Sequence, residues 1–99
     1  MEQVQYIKKL NPKGYVLINI DGDWVLEHKY NTEMFIGRVL NKSEVVHHID
    51  GDKENNRISN LMLFKSQKDH QKFHNKIRQF GYTNPIKRQI AFRWKEYLE

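Results

Sequence analysis

Residues 45–74 read VVHHIDGDKENNRISNLMLFKSQKDHQKFH, and this stretch holds four of the five histidines in the chain. Two of them are adjacent, His47 and His48, and two are four positions apart, His70 and His74. Between the two pairs lie a turn-rich run of Asp, Gly and Asn and a short apolar segment. The pattern predicts a strand, a loop, a second strand and a helix that bring the two histidine pairs together.

Local geometry gives the four histidines different positions. Residues four apart on a helix lie on one face, so His70 and His74 present their imidazoles side by side. Adjacent residues on a strand point to opposite sides, so His47 and His48 must separate. We expect one of them to join the helical pair around a metal ion, while the other faces outward toward a substrate. A purely structural metal site is the alternative, although an all-histidine set without cysteine would be unusual for one.

The fifth histidine, His28, lies outside this cluster. Together with Glu27 it could form a catalytic pair. A packed or hydrogen-bonded structural histidine is the favoured interpretation, because the pair stands apart from the other four histidines.

The composition indicates one ordinary globular domain, residues 1–99. A chain of 99 residues buries a modest core, so a metal ion or a partner would help its stability. Hydrophobic residues make up 38% and charged residues 29%, which argues against disorder. The absence of cysteine excludes disulfides and thiolate zinc sites. No apolar run could span a bilayer and the first residues lack a signal-peptide core, so we expect an intracellular protein without a membrane partner.

Positive charge is concentrated in the second half of the chain. The net charge is +5, and residues 45–99 carry eleven Lys or Arg against six Asp or Glu, which accounts for the whole excess. From His70 to Lys95 there are seven basic residues and no acidic one. Such a field suits a polyanion, because phosphate contacts supply most of the non-specific affinity for nucleic acid. Charge alone fits a solvated helix face equally well.

The first part of the chain predicts an α+β domain that begins with a β-hairpin. Residues 4–9 and 15–20 are expected to be its strands, joined by a type I turn at Asn11-Pro12-Lys13-Gly14. A helical pattern then starts at Trp24, or about three residues later, and ends near Gly37.

The second part predicts a hairpin with a long polar loop, followed by two helices. Ser66 begins the first helix, with Asp69 in a capping-box position and Gly81 as a C-terminal stop. A basic C-terminal helix over residues 84–99 starts at an Asn-Pro pair, and its apolar stripe is assigned to packing or to a partner. The two strands of the hairpin are residues 45–49 and 61–64.

The segment HHIDGDKENNRISNL followed by HQKFH resembles the HNH endonuclease family, whose site is a ββα-metal motif. The histidine pair, the loop, Asn-Leu and the helical histidines occur in the order that this family shows. The resemblance covers residues 24–74, because VLEHKYNTEMFIGRVLNKSEVVHH is similar to the lead-in of phage and mobile-element members. It implies a ββα-metal core over residues 45–80, while the last helix has no counterpart.

The resemblance also implies a role for individual residues by their position in the motif. His48 corresponds to the general base that activates water for attack on phosphorus, and His47 to the metal-ligand position on the strand. His70 corresponds to the helical ligand, and His74 to a further ligand or a phosphate contact. Asn60 corresponds to the asparagine that bridges the loop and orients the base. On this assignment His47 faces inward and His48 faces outward.

The implied cofactor is one divalent metal ion. The strand ligand is His47 where carboxylates are found in other members, and imidazoles suit Zn²⁺, Ni²⁺ or Co²⁺ whereas carboxylates suit Mg²⁺ or Mn²⁺. The identity of the metal therefore stays open. The expected reaction is a one-metal hydrolysis in which the cation neutralises the leaving 3′ oxygen, so that the products carry 5′-phosphate and 3′-hydroxyl ends.

The implied partner is DNA, contacted mainly through its phosphate backbone. One alternative is a non-catalytic nucleic-acid-binding protein in which a metal ion only joins the hairpin to the helix. Another is an accessory module that needs a partner, such as a phage packaging or recombination protein, or that forms a homodimer through its last helix. The candidates for backbone contacts are Arg38, Arg57, Lys72, Lys76 and Arg78.

Overall fold

The computed structural model describes residues 6–98 of the chain and shows the predicted α+β domain. This part forms two antiparallel sheets and four helices. A single 3-10 turn, Ile58–Asn60, precedes the last strand. No helix in the described part is long and apolar enough to cross a membrane. In chain order the elements are β1 (Lys8–Leu10), β2 (Val16–Ile20), β3 (Asp23–Leu26), α1 (Glu27–Ile36), β4 (Val45–His48), β5 (Leu61–Phe64), α2 (Gln67–Phe80), α3 (Asn84–Ala91) and α4 (Lys95–Leu98).

The N-terminal sheet has the strand order β1-β2-β3 and contains the predicted first turn. The side chain of Asn11 accepts hydrogen bonds from the backbone N–H groups of Lys13 (3.0 Å) and Tyr15 (2.9 Å). This reverses the chain because the asparagine side chain takes the place of a backbone acceptor. Of the predicted first strand, residues 4–9, the first two positions lie outside the described residues, and β1 begins at Lys8.

Strand β3 was not predicted, and the helix begins later than Trp24. Asp21 and Gly22, with φ of 51° and 94°, form a two-residue loop between β2 and β3. Asp-Gly suits this loop because both of its central residues need positive φ. The chain therefore runs back along β2 before the helix can start, and α1 begins at Glu27. Its predicted end is confirmed by Gly37, which has a φ of 79°.

The histidine-bearing stretch folds, as predicted, into the β4–β5 hairpin followed by α2. The Ser66 hydroxyl accepts a hydrogen bond from the backbone N–H of Asp69 (3.2 Å), so the helix has its predicted cap. At the other end Gly81 donates its N–H to the carbonyl of Ile77 (2.8 Å) and ends the helix. These caps fix the extent of α2 and thereby the positions of its histidines.

The β4–β5 hairpin is the central layer of the domain. Helices α1 and α2 both contact its two strands. All four residues of β5 are buried, and Met62 and Phe64 pack against Phe73 of α2 and Ile86 of α3. Because neighbouring strand residues face opposite sides, Leu61 lies on the other face, where it is fully buried. Both faces of the hairpin are therefore covered.

The C-terminal segment is two helices, so the prediction of one helix over residues 84–99 is wrong. Between α3 and α4 the chain turns, and Arg93 reaches back to the start of β5. Because arginine presents several N–H donors in one plane, it can satisfy carbonyl groups that have no partner in a helix or sheet. Its guanidinium donates to the carbonyls of Leu61 (2.7 Å), Ser59 (2.9 Å) and Ile90 (2.6 Å).

We expect Arg93→Ala to lower the free energy of unfolding by about 2 kcal/mol, because a charged donor is lost and carbonyl groups are left without a partner. Urea unfolding followed by circular dichroism measures the change. The matched control is Arg88→Ala on the exposed side of α3, which should change the stability by less than about 0.5 kcal/mol. Equal effects of the two substitutions would contradict the role given to Arg93.

Candidate active site

Three histidines from the hairpin and the helix converge on one point. His47 reaches from β4, while His70 and His74 lie one turn apart on α2. One ring nitrogen from each of the three histidines lies within 4.8 Å of the other two. His70 Nε2 lies 3.0 Å from His47 Nδ1 and 2.9 Å from His74 Nε2. The structure therefore brings together the three residues that were predicted as metal ligands.

The surroundings favour the neutral form of His47 and His70. Burial lowers the pKa of His47 to about 4, and the neighbouring His74 and His70 contribute to the shift. Burial and the neighbouring His74 also lower the pKa of His70. The rings of Phe64 and Phe73 form an apolar wall, with centroids 6.1 and 5.7 Å from that of His47. A neutral imidazole offers a lone pair, which is the form that binds metal ions.

The two distances from His70 Nε2 to its neighbours are compatible with a divalent metal ion. Nitrogen ligands with bonds of about 2.0–2.1 Å to a tetrahedral Zn²⁺ stand about 3.3–3.4 Å apart. The distances from His70 Nε2 to the nitrogens of His47 (3.0 Å) and His74 (2.9 Å) are slightly shorter than that spacing. Small side-chain movements would bring them to it. Three protein ligands also leave a coordination position for water or a phosphate oxygen, as catalytic zinc sites do.

His48 does not face solvent, and the prediction that it points outward is wrong. It does lie on the side of β4 opposite to His47, but α1 covers that side, and His48 is only 7% exposed. Its ring centroid lies 5.2 Å from that of His28 in α1 and 6.4 Å from that of Tyr15. The sequence of the partner strand β5, LMLF, indicates this burial. Its residues are apolar on both faces, so both faces of the hairpin have to be covered by other elements.

Asn56 holds the His48 ring and is itself held by Glu27, a pairing that the sequence motifs did not indicate. Asn56 Oδ1 lies 2.6 Å from His48 Nε2, and Asn56 Nδ2 donates to Glu27 Oε1 (2.9 Å). Glu27 Oε2 forms an ion pair with Lys8 Nζ of β1 (2.7 Å). Both Asn56 and Glu27 are buried. Nothing local distinguishes Asn56 from its neighbour Asn55, because its role depends on a residue 29 positions away.

Asn60 spans the loop between the strands. Its Nδ2 donates to Asp50 Oδ1 (2.8 Å) and to the carbonyl of Asn55 (2.9 Å), and its Oδ1 accepts from the N–H of Asp50 (3.1 Å). Its backbone carbonyl accepts from the N–H of Ile49 (2.8 Å), next to His48. In residues 6–98 its side chain makes no hydrogen bond to the His48 ring, so Asn60 acts on the loop and on the backbone beside that histidine.

His28 is a packed residue, in agreement with the structural interpretation of it. Its ring lies between Tyr15 and His48, with centroid distances of 5.1 and 5.2 Å. Burial, followed by the charge on His48, lowers the pKa of His28 to about 4. It therefore presents a neutral ring to His48.

The basic residues predicted to contact nucleic acid do not form one surface. Arg38 makes a two-pronged ion pair with Glu44, with both distances 2.8 Å, and this contact lowers the pKa of the Glu44 carboxyl. Arg57, in the loop before β5, and Arg78, on α2, are exposed. Arg38 is thus occupied by a neighbouring carboxylate, whereas Arg57 and Arg78 are accessible to a ligand.

Lys72 and Lys76 lie on the side of α2 away from the metal ligands. At about 100° per residue, Lys72 is turned about 200° from His70 around the helix axis. Both lysines line a groove of about 670 Å³ formed by β5, α2 and the C-terminal helices. Both lysines are exposed to solvent.

Comparison with known proteins gives a family for the central part of the chain. Residues 27–71 match the family model described as HNH endonuclease. No curated protein and no solved structure matched the chain. The matched segment starts at the first residue of α1 and ends within α2, so it contains Glu27, His48, Asn56 and His70. This match supports a relationship of the segment to the HNH endonuclease family, which suggests nuclease function.

Proposed function

We propose that the protein is a metal-dependent endonuclease that hydrolyses phosphodiester bonds of DNA. The observation that carries the proposal is the convergence of His47, His70 and His74, which each place one ring nitrogen within 4.8 Å of the others. His47 is also the neighbour of His48 in β4. A site that only joined hairpin to helix would need the three clustered histidines and nothing more. His48 is in addition held by a hydrogen bond to Asn56, and such an orientation is expected of a histidine that accepts a proton in catalysis.

In the proposed reaction His48 is the general base. It takes a proton from water, and the water oxygen forms a bond to phosphorus as the bond from phosphorus to the 3′ oxygen breaks. The 3′ oxygen takes a proton from solvent, which leaves 5′-phosphate and 3′-hydroxyl ends. A divalent ion held by His47, His70 and His74 would supply Lewis-acid stabilisation of the phosphate and of the leaving oxygen.

The direct test is incubation of supercoiled plasmid with the protein and a panel of divalent ions, with EDTA as the control. We expect conversion to nicked or linear DNA with Zn²⁺, Ni²⁺, Mg²⁺ or Mn²⁺ and none with EDTA, since removal of the metal removes charge stabilisation. End labelling of the products should report 5′-phosphates. Metal binding without cleavage under all these conditions would favour the non-catalytic alternative.

Substitution of two histidines should separate the base from the ligands. His48→Ala should abolish cleavage while the affinity for metal, measured by isothermal titration calorimetry, stays within about twofold, because His48 lies outside the ligand cluster. His70→Ala is the comparison, and it should weaken metal binding because it removes the central nitrogen of the cluster. Cleavage by the His48→Ala variant would rule out its assignment as the base.

The groove beside α2 is the proposed second contact with the DNA backbone. Within residues 6–98, Lys72 and Lys76 take part in no ion pair, whereas Lys65 at the same groove pairs with Glu96 (3.2 Å). Two unpaired lysines one helical turn apart suit successive phosphates of a strand. Because they are turned away from the metal ligands, they would contribute to binding and not to the chemical step.

Replacing Lys72 and Lys76 together by Ala should weaken DNA binding and reduce the slope of log K against log[salt] by about 2, because two phosphate contacts are lost. Fluorescence anisotropy with a labelled duplex measures the slope. Cleavage of a small phosphodiester, bis(p-nitrophenyl) phosphate, should be unchanged. Lys29→Ala combined with Lys42→Ala removes the same charge from exposed positions elsewhere and serves as the control. An equal loss in both double variants would show only an effect of net charge.

A further inference from the structure

A chain of polar contacts, buried at Glu27 and Asn56, leads from the N-terminal sheet to His48. It runs from Lys8 to Glu27 (2.7 Å), from Glu27 to Asn56 (2.9 Å) and from Asn56 to the Nε2 of His48 (2.6 Å). Glu27 is 8% exposed and Asn56 is 4% exposed. A carboxylate this well buried is costly unless it is paired and hydrogen-bonded, and both of its oxygens are engaged here.

The carboxylate of Glu27 fixes the orientation of the Asn56 amide. An ionised carboxylate only accepts hydrogen bonds, so the group that faces it at 2.9 Å has to be the amide NH₂. The amide oxygen of Asn56 must then face His48. The opposite orientation would place two acceptors against each other at this distance and leave the NH₂ against the ring nitrogen.

The amide oxygen in turn fixes the tautomer of His48. A carbonyl oxygen 2.6 Å from Nε2 requires a hydrogen on that nitrogen, because the oxygen has none to donate. In the neutral ring the lone pair then lies on Nδ1. A histidine with no such partner would populate both tautomers, and only one of them would present a base at a given nitrogen.

We propose that Asn56 and Glu27 are positioning residues that hold His48 with its lone pair on Nδ1, so that Nδ1 is the nitrogen that takes the proton from water. This inference rests on the proposed function for the role of His48 as the base. When Nδ1 takes the proton, Nε2–H becomes part of a cation and its bond to Asn56 strengthens. Glu27 polarises the amide and stabilises that cation through it, although the amide itself transfers no proton.

The proposal assigns to α1 and to the first sheet a part in catalysis that does not involve substrate contact. Lys8 supplies the charge that accompanies Glu27, at an exposed position where its own substitution would be mild. His28 and Tyr15 limit the movement of the His48 ring without supplying a hydrogen bond to it. Asn56 is the one described side chain that is hydrogen-bonded to the ring.

The tautomer can be measured without any activity. In the metal-free protein at mildly alkaline pH, long-range ¹H–¹⁵N correlation spectra of the imidazoles should show His48 with hydrogen on Nε2 and an unprotonated Nδ1. In Asn56→Ala the His48 signals should move toward a mixture of tautomers. In Glu27→Gln the tautomer should persist, because the glutamine oxygen can still accept from Asn56. A wild-type His48 with hydrogen on Nδ1 would overturn the proposal.

With plasmid DNA and metal present, Asn56→Ala should also reduce the cleavage rate more than Glu27→Gln does. Asn56→Ala should lower kcat about 10- to 100-fold, by analogy with the loss of residues that orient metal ligands, and Glu27→Gln should lower it less. KM and metal affinity should stay within about twofold of the wild type, which a general loss of structure would not allow. Unchanged kcat in Asn56→Ala, or a parallel loss of metal affinity, would contradict the proposal.

The controls separate this proposal from the proposed function. Asn41→Ala and Glu54→Gln repeat the two substitutions at exposed positions and should leave both the spectrum and kcat unchanged. Circular dichroism and urea unfolding establish that the variants are folded. If the wild-type protein did not cleave DNA, the proposed function would fail, and the spectra would still decide whether Asn56 and Glu27 set the tautomer.

Discussion

Adjacent residues of a β-strand point to opposite faces, and the arrangement of this domain depends on that constraint. In β4 it sends His47 toward α2 and His48 toward α1. One strand thus separates two small compartments. In one, three imidazoles meet among aromatic side chains, and in the other the His48 imidazole is held by an amide and packs against His28. The proposed metal ion and the proposed proton acceptor would need different surroundings, and the two faces of this strand differ in that way.

The rest of the chain stabilises one or the other compartment. The caps of α2 set the positions of His70 and His74, and the residues of β5 fill the space between the layers. On the opposite side α1 and the first sheet supply Glu27 and cover His48. The matched family segment begins at the first residue of α1, which agrees with a structural unit that includes this helix and not only the hairpin.

Local patterns predicted the elements that depend on local interactions. Ser66 and Gly81 mark the ends of α2 because caps act on the nearest turn, and the spacing of His70 and His74 follows from the helix repeat. The Asp21-Gly22 loop is also a local signal, because Asp-Gly is typical of a two-residue hairpin turn. A hairpin turn at this position predicts the strand β3 that the helical pattern missed.

The features that sequence patterns did not predict arise from contacts between distant residues. The burial of His48 results from α1 packing over the hairpin, and the importance of Asn56 results from its contact with Glu27. The break near Arg93 likewise follows from carbonyl groups more than 30 positions earlier. A helical pattern carries no information about such partners, so the sequence favoured a continuous last helix.

The contacts of Arg93 have a consequence for the order in which the domain assembles. They join residues 32 and 34 positions apart in the chain, and they close over the turn from which Asn60 and β5 start. During synthesis the hairpin and α2 leave the ribosome before Arg93 does. The loop that carries Asn56 and Asn60 would therefore gain its final restraint only when α3 and α4 have folded back. The candidate site would then reach its final geometry late, after the segment that carries the histidines has been made.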